Sequence, residues 1–203
     1  MNVLVINYGM GNLGSVRRAF EECGASVSVS EDPADLADAE RIVLPGVGAF
    51  PDAMARLNAA GWPAQLRTAL ANPGVHLLGI CLGMQLLADK GHEGGETPGL
   101  GLIHGEVTRF VPPNGERVPH VGWNEVRPTR PGALLAGIPS GTDFYFVHSY
   151  HFRAAQPESV LATTPYCGEF TAVVGTGNVA GAQFHPEKSS RPGFQLLRNF
   201  LTR

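Results

Sequence analysis

The sequence predicts an α/β fold: a single domain of three layers, with a central, mostly parallel sheet, a mixed or antiparallel extension, and helices on both faces. Three observations carry this. Short apolar runs alternate with amphipathic helical stretches through the first half of the chain. Those short strand-like runs are joined by helices, and helical crossovers imply parallel pairing with right-handed connections. In the second half the strand-like pieces crowd together with short connections, which suits antiparallel neighbours on the same sheet. The 203 residues carry no linker, repeat or low-complexity segment, so residues 1–203 read as one domain.

The elements follow in order. Val3–Asn7 is a first apolar strand, ending in a glycine-rich turn. An amphipathic helix over Leu13–Cys23 stops at Gly24. Strands are expected at Ser26–Ser30 and Arg41–Leu44, and helices over Pro51–Ala60 and Pro63–Ala71, each opening on a proline that suits a first helical turn. His76–Ile80 is a further buried strand, followed by a helix over Leu82–Lys90 that Gly91 closes. Val107–Val111, Gly122–Val126, Phe144–His148, Val160–Thr163, Thr171–Val174 and Val179–Phe184 are strand-like, and a helix over Pro192–Leu201 ends the pattern. The Gly/Pro-rich stretches at Gly91–Gly101, Pro112–Pro119 and Pro128–Gly132 read as surface loops.

Composition narrows the function classes. A formal net charge of −3 gives no electrostatic reason to expect nucleic acid. No apolar run approaches the roughly 20 residues that span a bilayer. The opening MNVLVINYG lacks the basic flank of a secretory leader, so the expected compartment is the cytoplasm. Cys23, Cys81 and Cys167 are too few and too scattered for a disulfide framework or a zinc site, and no metal or cofactor is expected.

The strongest local signal is Gly79-Ile80-Cys81-Leu82-Gly83-Met84-Gln85, where a buried strand gives way to a helix. A nucleophile on such an elbow is exposed at the carboxyl edge of the sheet, and small flanking residues permit the tight backbone. The helix that follows turns its N–H groups and positive end toward the sulfur, favouring the anion, and the Leu82 N–H is placed to meet an oxyanion. Cys23 and Cys167 lack such a context and read as structural.

A thiol nucleophile needs an acid/base and a group to orient it. Among seven histidines, His76 starts a strand, His92 lies in a polar loop, His104 and His120 fall in loop or edge positions, and His148 and His151 flank Ser149-Tyr150. His185 differs because it follows the apolar stretch Val179–Phe184 and precedes Pro186 and Glu187. The proline ends the strand, and Glu187 can turn its carboxylate onto the imidazole. A second oxyanion donor is expected from the loop Pro45-Gly46-Val47-Gly48-Ala49-Phe50, which lacks the Lys-Ser/Thr of a nucleotide-binding loop. A Val47 peptide between two glycines flips at low steric cost, so the donor set at Val47 and Gly48 is expected to form only conditionally.

Gly-x-Cys-x-Gly-x-Gln at Gly79–Gln85, with His185-Pro186-Glu187 far downstream, resembles the class I (triad-type) glutamine amidotransferases. Markers at Asn7–Leu13, Leu44–Phe50, Gly122-Trp123-Asn124, Phe146–Tyr150 and His185–Ser189 are similar to the subgroup that supplies the glutaminase of imidazole glycerol phosphate synthases, end to end. Val121 stands where methionine is common in that subgroup. The resemblance implies glutamine as substrate, with Cys81, His185 and Glu187 as triad. It implies Gly46, Gln85, Ser149 and Tyr150 at the substrate, and a (β/α)8-barrel cyclase subunit as partner, forming a heterodimer through Asn12, Trp123 and Lys188. No role attaches to the loops at Gly91–Gly99 and Pro128–Gly141. A glutaminase of pyridoxal phosphate synthesis, a silent binding subunit and a γ-glutamyl hydrolase stand as alternatives.

Overall fold

The structure is a computed structural model that describes residues 1–203. A nine-stranded sheet runs through the molecule in the order β2-β1-β3-β4-β13-β12-β11-β8-β9. Its parallel half comprises β1 (Asn2–Ile6), β2 (Ser26–Ser30), β3 (Arg41–Gly46), β4 (His76–Cys81) and β13 (Val179–Ala182). Every residue of β3 and β13 is buried, as expected for strands covered on both faces. The edge strand β2, Ser-Val-Ser-Val-Ser, is mostly exposed, and its alternating serines suit that position.

Two helix layers cover this half. On one face α1 (Leu13–Glu22) buries Val16, Ala19 and Phe20 and meets α5 (Ser190–Leu201), with Phe20 and Phe200 edge to face at 6.1 Å. On the other face lie α2 (Phe50–Ala60) and α3 (Trp62–Leu70), joined through Gly61 at φ +82°. Pro51 and Pro63 are the second residues of these helices, in their first turns. The antiparallel half adds β12 (Glu169–Thr176), β11 (Val160–Pro165), β8 (His120–Pro128) and β9 (Thr142–His148). No helix is long and apolar enough to cross a membrane.

Four expectations are corrected. The segment around Val107 does not extend the main sheet. It forms β7 (Gly105–Arg109) in a separate four-stranded sheet with β10 (Tyr150–Ala154) and the short strands β5 (Lys90–Gly91) and β6 (Thr97–Pro98). Periodicity gives a strand's existence but not its partner. Parts of the Gly91–Gly101 stretch therefore pair as β5 and β6, and Leu100 is buried.

The expected helix over Leu82–Lys90 is a single turn, α4 (Leu82–Gln85). The N–H groups of Leu100, Gly101, Leu102 and Ile103 donate to the carbonyls of Leu86, Ala88 and Leu87, while the Asp89 N–H turns to the Gly105 carbonyl. Those competing bonds end the helix, and they come from a segment remote in sequence. His120, placed at a loop or edge, is instead buried at the start of β8.

Candidate active site

Cys81 ends β4 and precedes α4, and its backbone is strained, with φ 55° and ψ −112°. A β-carbon is unfavourable in that conformation, which costs on the order of 1–3 kcal/mol and recurs at functional sites. The two flanking glycines make the elbow possible through close approach. A β-carbon on Gly83 would lie 1.7 Å from the Leu44 carbonyl oxygen, and one on Gly79 would lie 2.6 Å from the Gly83 carbonyl oxygen. With α4 only one turn long, the expected contribution of a helix dipole shrinks to that of its first N–H groups.

His185 follows β13 and is held by the antiparallel half of the sheet. Its N–H donates to the Tyr145 carbonyl of β9 at 2.9 Å, and Ser189 Oγ donates to the His185 carbonyl at 2.6 Å. The turn Pro186–Lys188 then brings Glu187 Oε1 to 2.8 Å from His185 Nδ1, with the side chains 1% and 3% exposed respectively. His185 Nε2 is buried with no hydrogen-bond partner, in a residue that lines the pocket with Cys81. Burial alone would lower the His185 pKa, but the Cys81 sulfur and the Glu187 carboxylate overcome it and raise the value to about 10. The buried carboxylate thus favours the protonated imidazole over the neutral one.

The pocket holds about 330 Å³, enough for a small amino acid. Val47, Gly48, Leu82, Gln85, Ser149 and Tyr150 line it. The Val47 and Gly48 N–H groups engage no protein acceptor. Gly46 does not line the pocket. It pairs with Cys81 in the β3–β4 ladder, and a β-carbon there would meet Tyr8 Oη at 2.5 Å, so its smallness serves packing behind the site.

Trp123 stands 54% exposed on β8, edge to face with Tyr145, and Lys188 Nζ lies 6.0 Å from the same ring. Asn12 is exposed at the start of α1, where the chain leaves β1.

One residue of the pocket has no counterpart in the sequence reading. Glu93 carries the only carboxylate among the lining residues, and its Oε2 accepts from the Phe50 N–H at the start of α2 at 2.8 Å. A lone acid in a glycine-rich loop offers no spacing signal, and only the folding of that loop onto α2 brings it to the pocket.

Behind the pocket lies a chain of histidines with defined tautomers. His148 Nδ1 donates to the Tyr150 carbonyl at 2.7 Å, so Nε2 accepts from His120 Nδ1 at 3.0 Å, and His120 Nε2 accepts from Asn124 Nδ2 at 3.2 Å. Phe110 stacks on His151 at 4.6 Å, and Tyr166 stacks on His120 at 3.9 Å. Burial pushes the pKa of His148 down to about 3, and those of His120 and His151 to about 4.

These shifts set an acid limit on stability. The unfolded chain protonates these histidines near 6.5 while the folded chain does not, so their contribution is present above 6.5 and is lost as pH falls toward 4. Urea midpoints measured between about pH 7.5 and 4.5 should fall steeply, with proton uptake on unfolding approaching one per histidine. A flat profile across that range would contradict the neutral cluster.

Comparison with known proteins places these features in context. The family model described as glutamine amidotransferase class-I matches residues 4–203. The chain is 53% identical to an "Imidazole glycerol phosphate synthase subunit HisH" from Moorella thermoacetica, covering 98% of this chain and 93% of that relative. It is 50% identical to the protein of the same description from Desulfitobacterium hafniense (strain Y51), covering 97% and 92%. Among solved structures, one titled as a glutamine amidotransferase superposes with a TM-score of 0.77 at 21% identity, covering 98% of this chain and 97% of that one. The structure of PurLQS from Thermotoga maritima gives 0.76 at 20% identity, covering 99% and 97%. These two likenesses concern the fold.

Proposed function

The chain belongs to the glutamine amidotransferase class-I family, and on that premise we propose that Cys81, His185 and Glu187 hydrolyse glutamine to glutamate and ammonia for a partner subunit. It acts as the glutaminase subunit of imidazole glycerol phosphate synthase. The observation that carries the chemistry is one pocket holding a strained nucleophile, a carboxylate-backed imidazole and unengaged backbone N–H groups.

The Cys81 thiolate attacks the carboxamide carbon of glutamine. The oxyanion is met by the Leu82 N–H and by an N–H of Val47 or Gly48, worth roughly 3–4 kcal/mol per donor. Protonated His185 gives its proton to departing ammonia, leaving a glutamyl thioester. Neutral His185 then takes a proton from the water that hydrolyses the thioester. Glu93 receives the substrate ammonium group, while Gln85, Ser149 and Tyr150 hold the rest of the amino acid. Glu93→Gln should raise KM for glutamine about tenfold or more with a smaller change in kcat. An unchanged KM would remove Glu93 from the substrate.

The partner in this reading is a (β/α)8-barrel cyclase that takes the ammonia and forms a heterodimer with this chain. Its seat is the face carrying Asn12, Trp123 and Lys188. Val47, Val121, Trp123 and Val147 are exposed apolar residues at the pocket and along the adjoining β8–β9 ladder, a surface that a docked subunit would cover. Docking sets the Val47 peptide so that the oxyanion hole is complete. Glutamine hydrolysis, assayed with and without the cyclase and its nucleotide ligand, should be slow for the chain alone and rise steeply in the complex. Vigorous hydrolysis by the chain alone would refute partner control. No hydrolysis in either case would refute the amidase reading.

A further inference from the structure

We infer that Gln183 is an additional catalytic residue that donates an N–H to the Cys81 sulfur, and that Gln85 is a positioning residue that fixes the direction of that donor. This rests on the reading of Cys81 as the nucleophile.

Gln183 is 0% exposed and lies two residues before His185, outside the pocket lining. Burying an amide in a well-packed interior is costly unless both its ends find partners. The Gln183 Oε1 accepts from Gln85 Nε2 at 3.0 Å, and the Gln183 Nε2 reaches the Cys81 sulfur at 3.8 Å. The sulfur is that nitrogen's acceptor. A leucine or methionine of similar volume would fill the same space without a polar cost, so the amide is placed for what it does to the sulfur.

The orientation of both amides follows from the network. Gln85 Nε2 also donates to the Tyr150 carbonyl at 2.9 Å, the same oxygen that His148 Nδ1 holds at 2.7 Å. Turning the Gln85 amide over would set two oxygens against each other at Tyr150. Turning the Gln183 amide over would set its NH₂ against that of Gln85. Each amide therefore has one self-consistent direction, and the last N–H of the series is aimed at the nucleophile. The same arrangement commits both N–H groups of Gln85 to the protein and leaves its Oε1 available in a residue that lines the pocket. Gln85 thus serves the substrate with its oxygen and the sulfur, through Gln183, with its nitrogen.

A donor held against the sulfur stabilises the thiolate before glutamine arrives and again when the thioester breaks. The other ionisable groups facing the sulfur or the pocket are His185 with Glu187 behind it, Tyr8 from the turn after β1, and Glu93, His148 and Tyr150 in the pocket lining. All of these stay in place in the variants below.

The test uses the full chain carrying Cys23→Ser and Cys167→Ser, with iodoacetamide as probe and mass spectrometry locating the adduct. The parent should be alkylated at Cys81. Gln183→Met should move the midpoint of the pH profile of alkylation upward by about one unit, and so slow alkylation about tenfold on the acid side of that midpoint, the size of a hydrogen bond to a charged group. Gln85→Met should act in the same direction, and the double variant should be no slower than Gln183→Met, because Gln85 reaches the sulfur only through Gln183.

Folded Gln183→Met with the parent's profile would overturn the inference, as would additive effects in the double variant. Should Gln183→Met fail to fold, Gln85→Met carries the test alone, and an unshifted profile there overturns it equally. Absence of a Cys81 adduct in the parent would instead overturn the assignment of the nucleophile.

Discussion

Replacing Cys81 by alanine is expected to remove glutamine hydrolysis, by a factor of about 10⁴ or more, while ammonia supplied in the medium still supports synthesis by the assembled complex. The reason is that no other group in the pocket can form the thioester: Cys81 is the one thiol in the lining, and the Ser149 and Tyr150 hydroxyls do not stand on the strained elbow between β4 and α4. Loss of both activities together would mean that the substitution had damaged the partner interface instead of the chemistry. The strained backbone gives a second readout. Glycine is at ease at φ 55° and alanine is not, so Cys81→Gly should be more stable to urea than Cys81→Ala by about 1 kcal/mol. Equal stability would show that the elbow stores no strain.

Glu187→Gln should lower kcat on the order of 10²–10⁴-fold with little change in KM. The carboxylate and the imidazole are both buried and 2.8 Å apart, so the pair acts without solvent screening. A neutral amide neither holds the Nδ1–H tautomer nor stabilises the imidazolium. The His185 pKa, raised to about 10 in the native chain, should drop. A raised folded-state value stabilises the fold fully below 6.5, and that contribution disappears as pH climbs through 10. Native protein should therefore lose stability toward alkaline pH more steeply than Glu187→Gln. Unchanged turnover in the variant would reduce Glu187 to a structural residue.

The sequence alone carried the order of strands and helices, because burial on two faces and helical periodicity are local patterns. It also carried Cys81, His185 and Glu187. Glycines beside the cysteine and a proline after the histidine mark sharp turns at strand ends, and strand ends are where a parallel sheet presents its chemistry. Other features depended on contacts between distant segments. Whether Leu82–Lys90 continues as a helix is decided by donors from Leu100–Ile103. The membership of the Val107 segment in a second sheet is decided by β5 and β10. Glu93 reaches the pocket because its loop folds onto α2. The buried line from His120 through His148 to the Tyr150 carbonyl, and from Gln85 through Gln183 to the sulfur, exists only when β8, β9, α4 and the end of β13 meet.

Cys81 divides along the same boundary. Its place on an elbow, with an imidazole and a carboxylate to serve it, follows from residue types and short-range spacing. The strain at its backbone, the raised pKa of the imidazole beside it and the amide aimed at its sulfur come from tertiary packing, since burial and hydrogen-bond direction are properties of neighbours in space, not in sequence.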